Sequence, residues 1–130
     1  MKTITEVQLL LESNNPGEVR EALKICTDNI VKINDLLKEY ATDKSMKKRA
    51  YKTAYNKKYI MFRQQGNNDA LAKAMTEVDK SIEILADDVE AANMLWDCAD
   101  RERSSWNCVF ISMRKSASIL GAEINNRISG

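Results

Sequence analysis

From Leu71 onward an apolar residue returns in alternating steps of four and three. The series is Leu71, Met75, Val78, Ile82, Leu85, Val89, Ala92, Trp96, Ala99, Arg103, Trp106, Phe110, Met113, Ala117, Leu120 and Ile124. Only Arg103 is polar, and no Gly or Pro falls inside the series before Gly121. A chain with this repeat forms α-helix, and the apolar face of that helix must be covered. A step of 3.5 residues sustained over seven heptads predicts a coiled-coil-like helix. As one helix over residues 69–125 it would span roughly 80 Å. The alternative is a single break at Asp100–Ser105, with the two halves folded back as a bundle. Either way the stripe needs partners, and a homo-oligomer is the expectation.

The upstream sequence supplies part of that cover. Asn15-Pro16-Gly17-Glu18 reads as a helix start: Asn15 can cap, Pro16 suits the first helical position, and Glu18 holds the capping-box position. Val19, Leu23, Cys26, Ile30, Ile33, Leu37 and Tyr40 then form one stripe, which predicts a helix over residues 16–41. A shorter helix is expected over residues 3–13, from Ile4, Val7, Leu10 and Leu11, ending near Ser13-Asn14. Thr42 or Asp43 can cap a further helix over residues 43–65, with Gly66 as its stop. Gly66-Asn67-Asn68-Asp69 is a tight connection in which Asn68 or Asp69 caps the next helix. The five Gly and Pro residues are too few for a sandwich or barrel, so the fold class is all-α, a helical hairpin or bundle in one domain.

Several functions are disfavoured by what is missing. There is no histidine, the commonest general base and metal ligand. Cys26, Cys98 and Cys108 have no CxxC spacing and read as small buried hydrophobes. No phosphate-binding, nucleotide-binding, serine-hydrolase or zinc-protease motif is present, so neither an enzyme nor a cofactor is expected. No apolar run reaches the length of a membrane span and the N-terminus lacks a cleavage site, which makes cytoplasmic the default expectation.

The charge is arranged unevenly. Lys44, Lys47, Lys48, Arg49, Lys52, Lys57, Lys58 and Arg63 form a block with no acid, whereas residues 1–43 carry −3 and residues 64–130 carry −4. Tyr51, Tyr55, Tyr59 and Phe62 are interleaved with the cations. At 100° per residue from Lys44, the aromatics and most of the cations fall on one half of the helix. Ile60, Thr53, Met46, Ala50, Met61 and Ala54 fall opposite, with Lys57 among them. The expectation is that the small and Met residues face the core and the tyrosines face solvent. Such a face suits single-stranded nucleic acid: Lys44, Lys47, Lys48, Lys52, Lys58 and Arg63 on phosphates, with Tyr51, Tyr55 and Tyr59 stacked on bases. The competing arrangement buries the aromatics and lets the lysines snorkel around them.

Glu77, Asp79, Glu83, Asp87, Asp88 and Glu90 make an acidic counterpart that is either a solvated face or a dock for the basic helix, within the chain or between subunits. Trp96 and Trp106 lie on the apolar stripe and are assigned to the core. Arg114, Lys115 and Arg127 form a second, weaker positive patch.

The stretch KKRAYKTAYNKKYIMFRQQGNNDALAKAMTEVDKSIEILADDVEAANMLWDCADRERSSWNCVFISMRKSASIL resembles small helical proteins of tailed phages encoded among replication and recombination genes. The nearest named family is the UvsY-type recombination mediators of T-even phages, similar over residues 35–120 in having Lys- and Tyr-bearing helices ahead of a long C-terminal helix. The resemblance implies a ring-forming oligomer that binds single-stranded DNA and loads a recombinase past a single-strand-binding protein. Only the Lys44–Arg63 positions transfer as DNA contacts. Two other readings fit the same residues: an inhibitor of a host nucleic-acid-binding protein, and a purely structural coiled-coil subunit.

Overall fold

A computed structural model describes the backbone at residues 3–12 and 15–129, and side chains at residues 3–10, 12 and 15–115. Among these residues the fold is all-α, with four helices and no strand: α1 (Ile4–Glu12), α2 (Pro16–Gln64), α3 (Asp69–Glu77) and α4 (Lys80–Ser129). Leu11, Ser13, Asn14, Ala117, Leu120, Ile124 and Arg127, which carry expectations above, lie outside the described residues or side chains.

The helix starts follow the capping logic. The Thr3 hydroxyl accepts from the Glu6 amide at 3.2 Å, and the Asn15 side chain accepts from the Gly17 amide at 2.9 Å. Each satisfies a first-turn N–H that has no partner inside its helix. Asn68 caps α3 by accepting from the Leu71 amide at 2.8 Å. Gly66 closes α2 at φ +94°, with the Asn67 amide bonded back to the Phe62 carbonyl at 3.3 Å. That left-handed position is one a side chain rarely adopts.

Two expected boundaries are wrong. Residues 16–41 and 43–65 are not separate helices, because α2 runs unbroken from Pro16 to Gln64. Thr42 does not cap; its hydroxyl bonds the Lys38 carbonyl one turn back at 3.1 Å. The inward series Leu37, Tyr40, Lys44, Lys47, Tyr51, Tyr55, Lys58 and Phe62 runs on in steps of three and four through the supposed junction, so nothing asks the helix to stop.

The second error concerns the 69–125 stripe. It is interrupted at Val78–Asp79 and not at Asp100–Ser105. The Asp79 carboxylate accepts from the Ser81 amide at 3.0 Å and from the Ser81 hydroxyl, which starts α4 at Lys80. Asp79 competes with the helix for its own neighbours, as short polar side chains do. At Asp100–Ser105 the polar groups are absorbed instead: Arg103 pairs with Asp100, and the Ser104 and Ser105 hydroxyls bond carbonyls four residues back, each at 3.1 Å.

Contacts group the chain into two compact units. One comprises Met1–Leu36 with Ala99–Gly130, the other Leu37–Cys98. In the first, Val7 of α1, Val19, Ala22, Cys26 and Ile33 of α2, and Ala99, Trp106, Val109 and Met113 of α4 are buried. The Cys26 thiol donates to the Trp106 carbonyl at 3.3 Å, and burial pushes its pKa up, so it serves there as a small apolar group. Cys98 and Cys108, also expected to be buried, are exposed.

Trp106 is the largest fully buried side chain of this unit, and its indole nitrogen has no hydrogen-bond partner among the described residues. Trp106→Ala should cost about 3–5 kcal/mol, as deletion of a buried aromatic does. Trp106→Phe should cost much less, because only volume and no hydrogen bond is lost. Urea denaturation followed by circular dichroism measures both; equal losses would contradict this packing.

Candidate nucleic-acid interface

In the Leu37–Cys98 unit the α2 and α4 segments run antiparallel. Lys44 lies over the Trp96 ring, 4.9 Å from its centroid, and Lys58 pairs with Asp79 at 3.4 Å, so rising numbers on one helix meet falling numbers on the other. Leu37, Ala72, Thr76, Ile82 and Ala92 are the buried residues of this unit.

This packing reverses the expected orientation of the basic helix. Tyr51, Tyr55, Tyr59 and Phe62 are half-buried, whereas Met46 is 63% exposed, Ile60 54% and Met61 37%, with Ala50 and Thr53 exposed beside them. The aromatics face the helical partner and, apart from the half-buried Ala54, the small and Met residues face outward. The physical reason is area. A tyrosine ring covers far more of the facing α4 stripe than Ala or Thr does, and its hydroxyl still reaches water from a half-buried position.

Several proposed contact residues are thereby engaged inside the unit. Lys44 sits on Trp96, and Lys58 sits on Asp79 with Lys47 half-buried in the same inward series. Tyr51 and Tyr55 pair as tilted rings with centroids 5.9 Å apart. The Tyr59 hydroxyl donates to Asp69, the first residue of α3, which Lys73 also holds at 3.2 Å. The Tyr59 bond lowers the Asp69 pKa, Lys73 adding to it, and the same hydrogen bond raises that of Tyr59. Asp79 is lowered first by the Ser81 hydroxyl and further by Lys58.

The remaining cations stand on an exposed flank of α2. Lys48, Arg49, Lys52 and Arg63 fall within about 100° of arc on the helical wheel, with Ser45 and Asn56 between them. Lys48, Arg49 and Lys52 have no ion-pair partner among the described residues, and Arg63 donates to the Asn67 carbonyl at 3.5 Å and stands near enough to Asp69 to help lower its pKa. Ser45, Lys48, Arg49, Tyr51, Lys52, Thr53 and Asn56 line a shallow depression on this flank. Arg49, Ser45 and Asn56 are not among the contact residues expected from the sequence, although their angles on the wheel already group them with Lys48 and Lys52.

Of the other charged residues, Glu77, Glu83, Asp87, Asp88 and Glu90 are exposed, and Asp79 alone of the acidic run docks on the basic helix. Arg114 lies 6.0 Å from the Phe110 ring centroid and Lys115 is exposed. No group of His, Cys, Asp and Glu among the described residues is arranged to hold a metal ion, and no helix there is long and apolar enough to cross a membrane. No protein-family model matches the chain, and neither does any curated protein or solved structure in the comparisons made.

The junction around α3 should be sensitive at both ends of the pH scale. Asp69 and Asp79 have lowered pKa values, so the stability they add is present above the ordinary carboxylate range and is lost as pH falls through the lowered values. Tyr59 has a raised pKa, so its contribution is present below the usual tyrosine value and is lost as pH rises through the raised one. Thermal melts of Tyr59→Phe should therefore show a flatter alkaline limb and a smaller acid loss than the parent. Identical pH profiles would remove the Tyr59–Asp69 bond from the account.

Proposed function

We propose that this chain is a non-enzymatic, nucleic-acid-binding accessory protein of the recombination and replication type, acting on single strands as a cytoplasmic component. The observation that carries the proposal is the flank of Lys48, Arg49, Lys52 and Arg63, exposed together on one helix with no acid between Lys44 and Arg63. Cations in a row neutralise successive phosphates and release condensed counterions. Ser45 and Asn56 add uncharged hydrogen-bonding groups at the same surface. Tyr51 lines the depression, so in this reading the exposed part of its half-buried ring, which also pairs with Tyr55, stacks on an unpaired base, whereas Tyr59 is held by Asp69. Lys44 and Lys58 act in the same structural way.

The number of contacts fixes the salt dependence. Four phosphates neutralised on a single strand give a slope of about 3 in log affinity against log salt, at about 0.7 per phosphate. Anisotropy titration of a labelled single-stranded oligonucleotide should return that slope. Lys48→Glu with Lys52→Glu should weaken binding by at least about tenfold with the helical signal intact, since both side chains are exposed. Tyr51→Ala should reduce the preference for the single strand over its duplex. Affinity unchanged by the double charge reversal would defeat the assignment.

A further inference from the structure

We infer that the outward faces of α2 and α4 in the Leu37–Cys98 unit are complementary halves of one interface, through which copies of this chain stack head to tail. Beside the basic flank, α2 carries a crest of Met46, Ala50, Thr53, Lys57 and Ile60 in the same four–three step as the buried stripe. All five are exposed, and Met46 and Ile60 are more than half accessible. On α4 the outward crest is Ile84, Asp87, Ala91, Met94 and Cys98; Ile84 is 58% exposed, Met94 61% and the neighbouring Leu95 50%. A second coiled-coil face on each helix is more apolar surface than a solvated helix needs.

Charge and register select the occupant. The α2 crest has one charge inside it, Lys57, and is bordered by Arg49; the α4 crest has Asp87 inside it and Asp88 beside it. Lys57, Asp87 and Asp88 have no ion-pair partner among the described residues. When Lys57 of one copy is set opposite Asp87 of another with the helices antiparallel, Ile60 meets Ile84 and Thr53 meets Ala91. Ala50 then meets Met94, and Met46 meets Cys98. Every apolar position faces an apolar or small one, and the single opposed charges coincide. The parallel setting of the same charge pair puts Ile60 against Glu90, Thr53 against Glu83 and Ala50 against Lys80. Match in one orientation and mismatch in the other is how helix pairs specify direction.

The inner faces of the two helices already meet in the unit, so the crests point away from each other. A contact of α2 on α4 therefore leaves an unused crest at each end. The assembly grows by a repeated heterologous contact, closing only as a ring, and a two-fold dimer cannot satisfy both crests. Lys48 and Lys52 lie off the crest, so each added copy leaves them open, while Arg49 and Thr53 stand where the depression meets the contact.

Sedimentation velocity of the full chain over a range of concentrations tests this. Association beyond a dimer is expected for the parent. Lys57→Glu and Asp87→Lys should each require roughly a hundredfold more protein, because a like-charge contact replaces an attractive one. The Lys57→Glu, Asp87→Lys double variant should recover assembly. A parent chain that is monomeric throughout, a dimer that grows no further, or single variants that assemble like the parent would overturn the inference. A covalent check is independent of charge. With oxidised glutathione as the disulfide source, Met46→Cys should cross-link to Cys98 of another copy as a ladder that Cys98→Ser abolishes; a ladder that survives Cys98→Ser would place the contact elsewhere.

Discussion

Everything in this protein depends on covering apolar stripes that repeat every three and four residues along two helices, α2 and α4, each about fifty residues long. A buried Ile, Met or Trp is worth about 1.5–3 kcal/mol, so a stripe of such residues outweighs the modest helix preferences of the residues around it. That is why α2 continues past Thr42 and Asp43, and why α4 continues past Arg103, Ser104 and Ser105. In both places the polar side chains bond within their own helix, and the inward series is left intact.

The same demand settles which side of the basic helix is inside. Both halves of the helix between Lys44 and Arg63 contain apolar atoms, but the half with four aromatic rings offers much more area to the facing segment of α4. The lysines on that half are taken in by their stems. One charge lies over an indole and another pairs with the capping aspartate of α4. The cost falls on the opposite half, where Met46 and Ile60 are left in solvent next to an uncompensated Lys57. A basic flank open to phosphates and an apolar crest open to a second copy are both consequences of that one choice.

The short α3 shows a polar side chain overriding periodicity. The stripe runs without a change of step through Met75, Val78 and Ile82, yet the chain breaks between Val78 and Asp79 because Asp79 accepts from the amide and hydroxyl of Ser81. Tyr59 with Asp69 and Lys58 with Asp79 then hold the two ends of α3 against α2. Val78 is left 72% exposed as a result, although its place in the series assigns it to the core.

The helical class, the start at Asn15-Pro16, the stop at Gly66, the cap at Asn68 and the burial of Ile33, Ile82, Trp106 and Met113 are legible along the chain. These follow from local hydrogen bonding and from periodicity, which are properties of neighbouring residues. The basic block is legible too, because charge is read directly from composition. The direction that block faces, the division into two units, and which of its cations are already engaged emerge only when the helices pack. Two halves of an amphipathic helix compete for one partner surface, and the winner depends on the area and shape of that partner, which no window along a single helix contains.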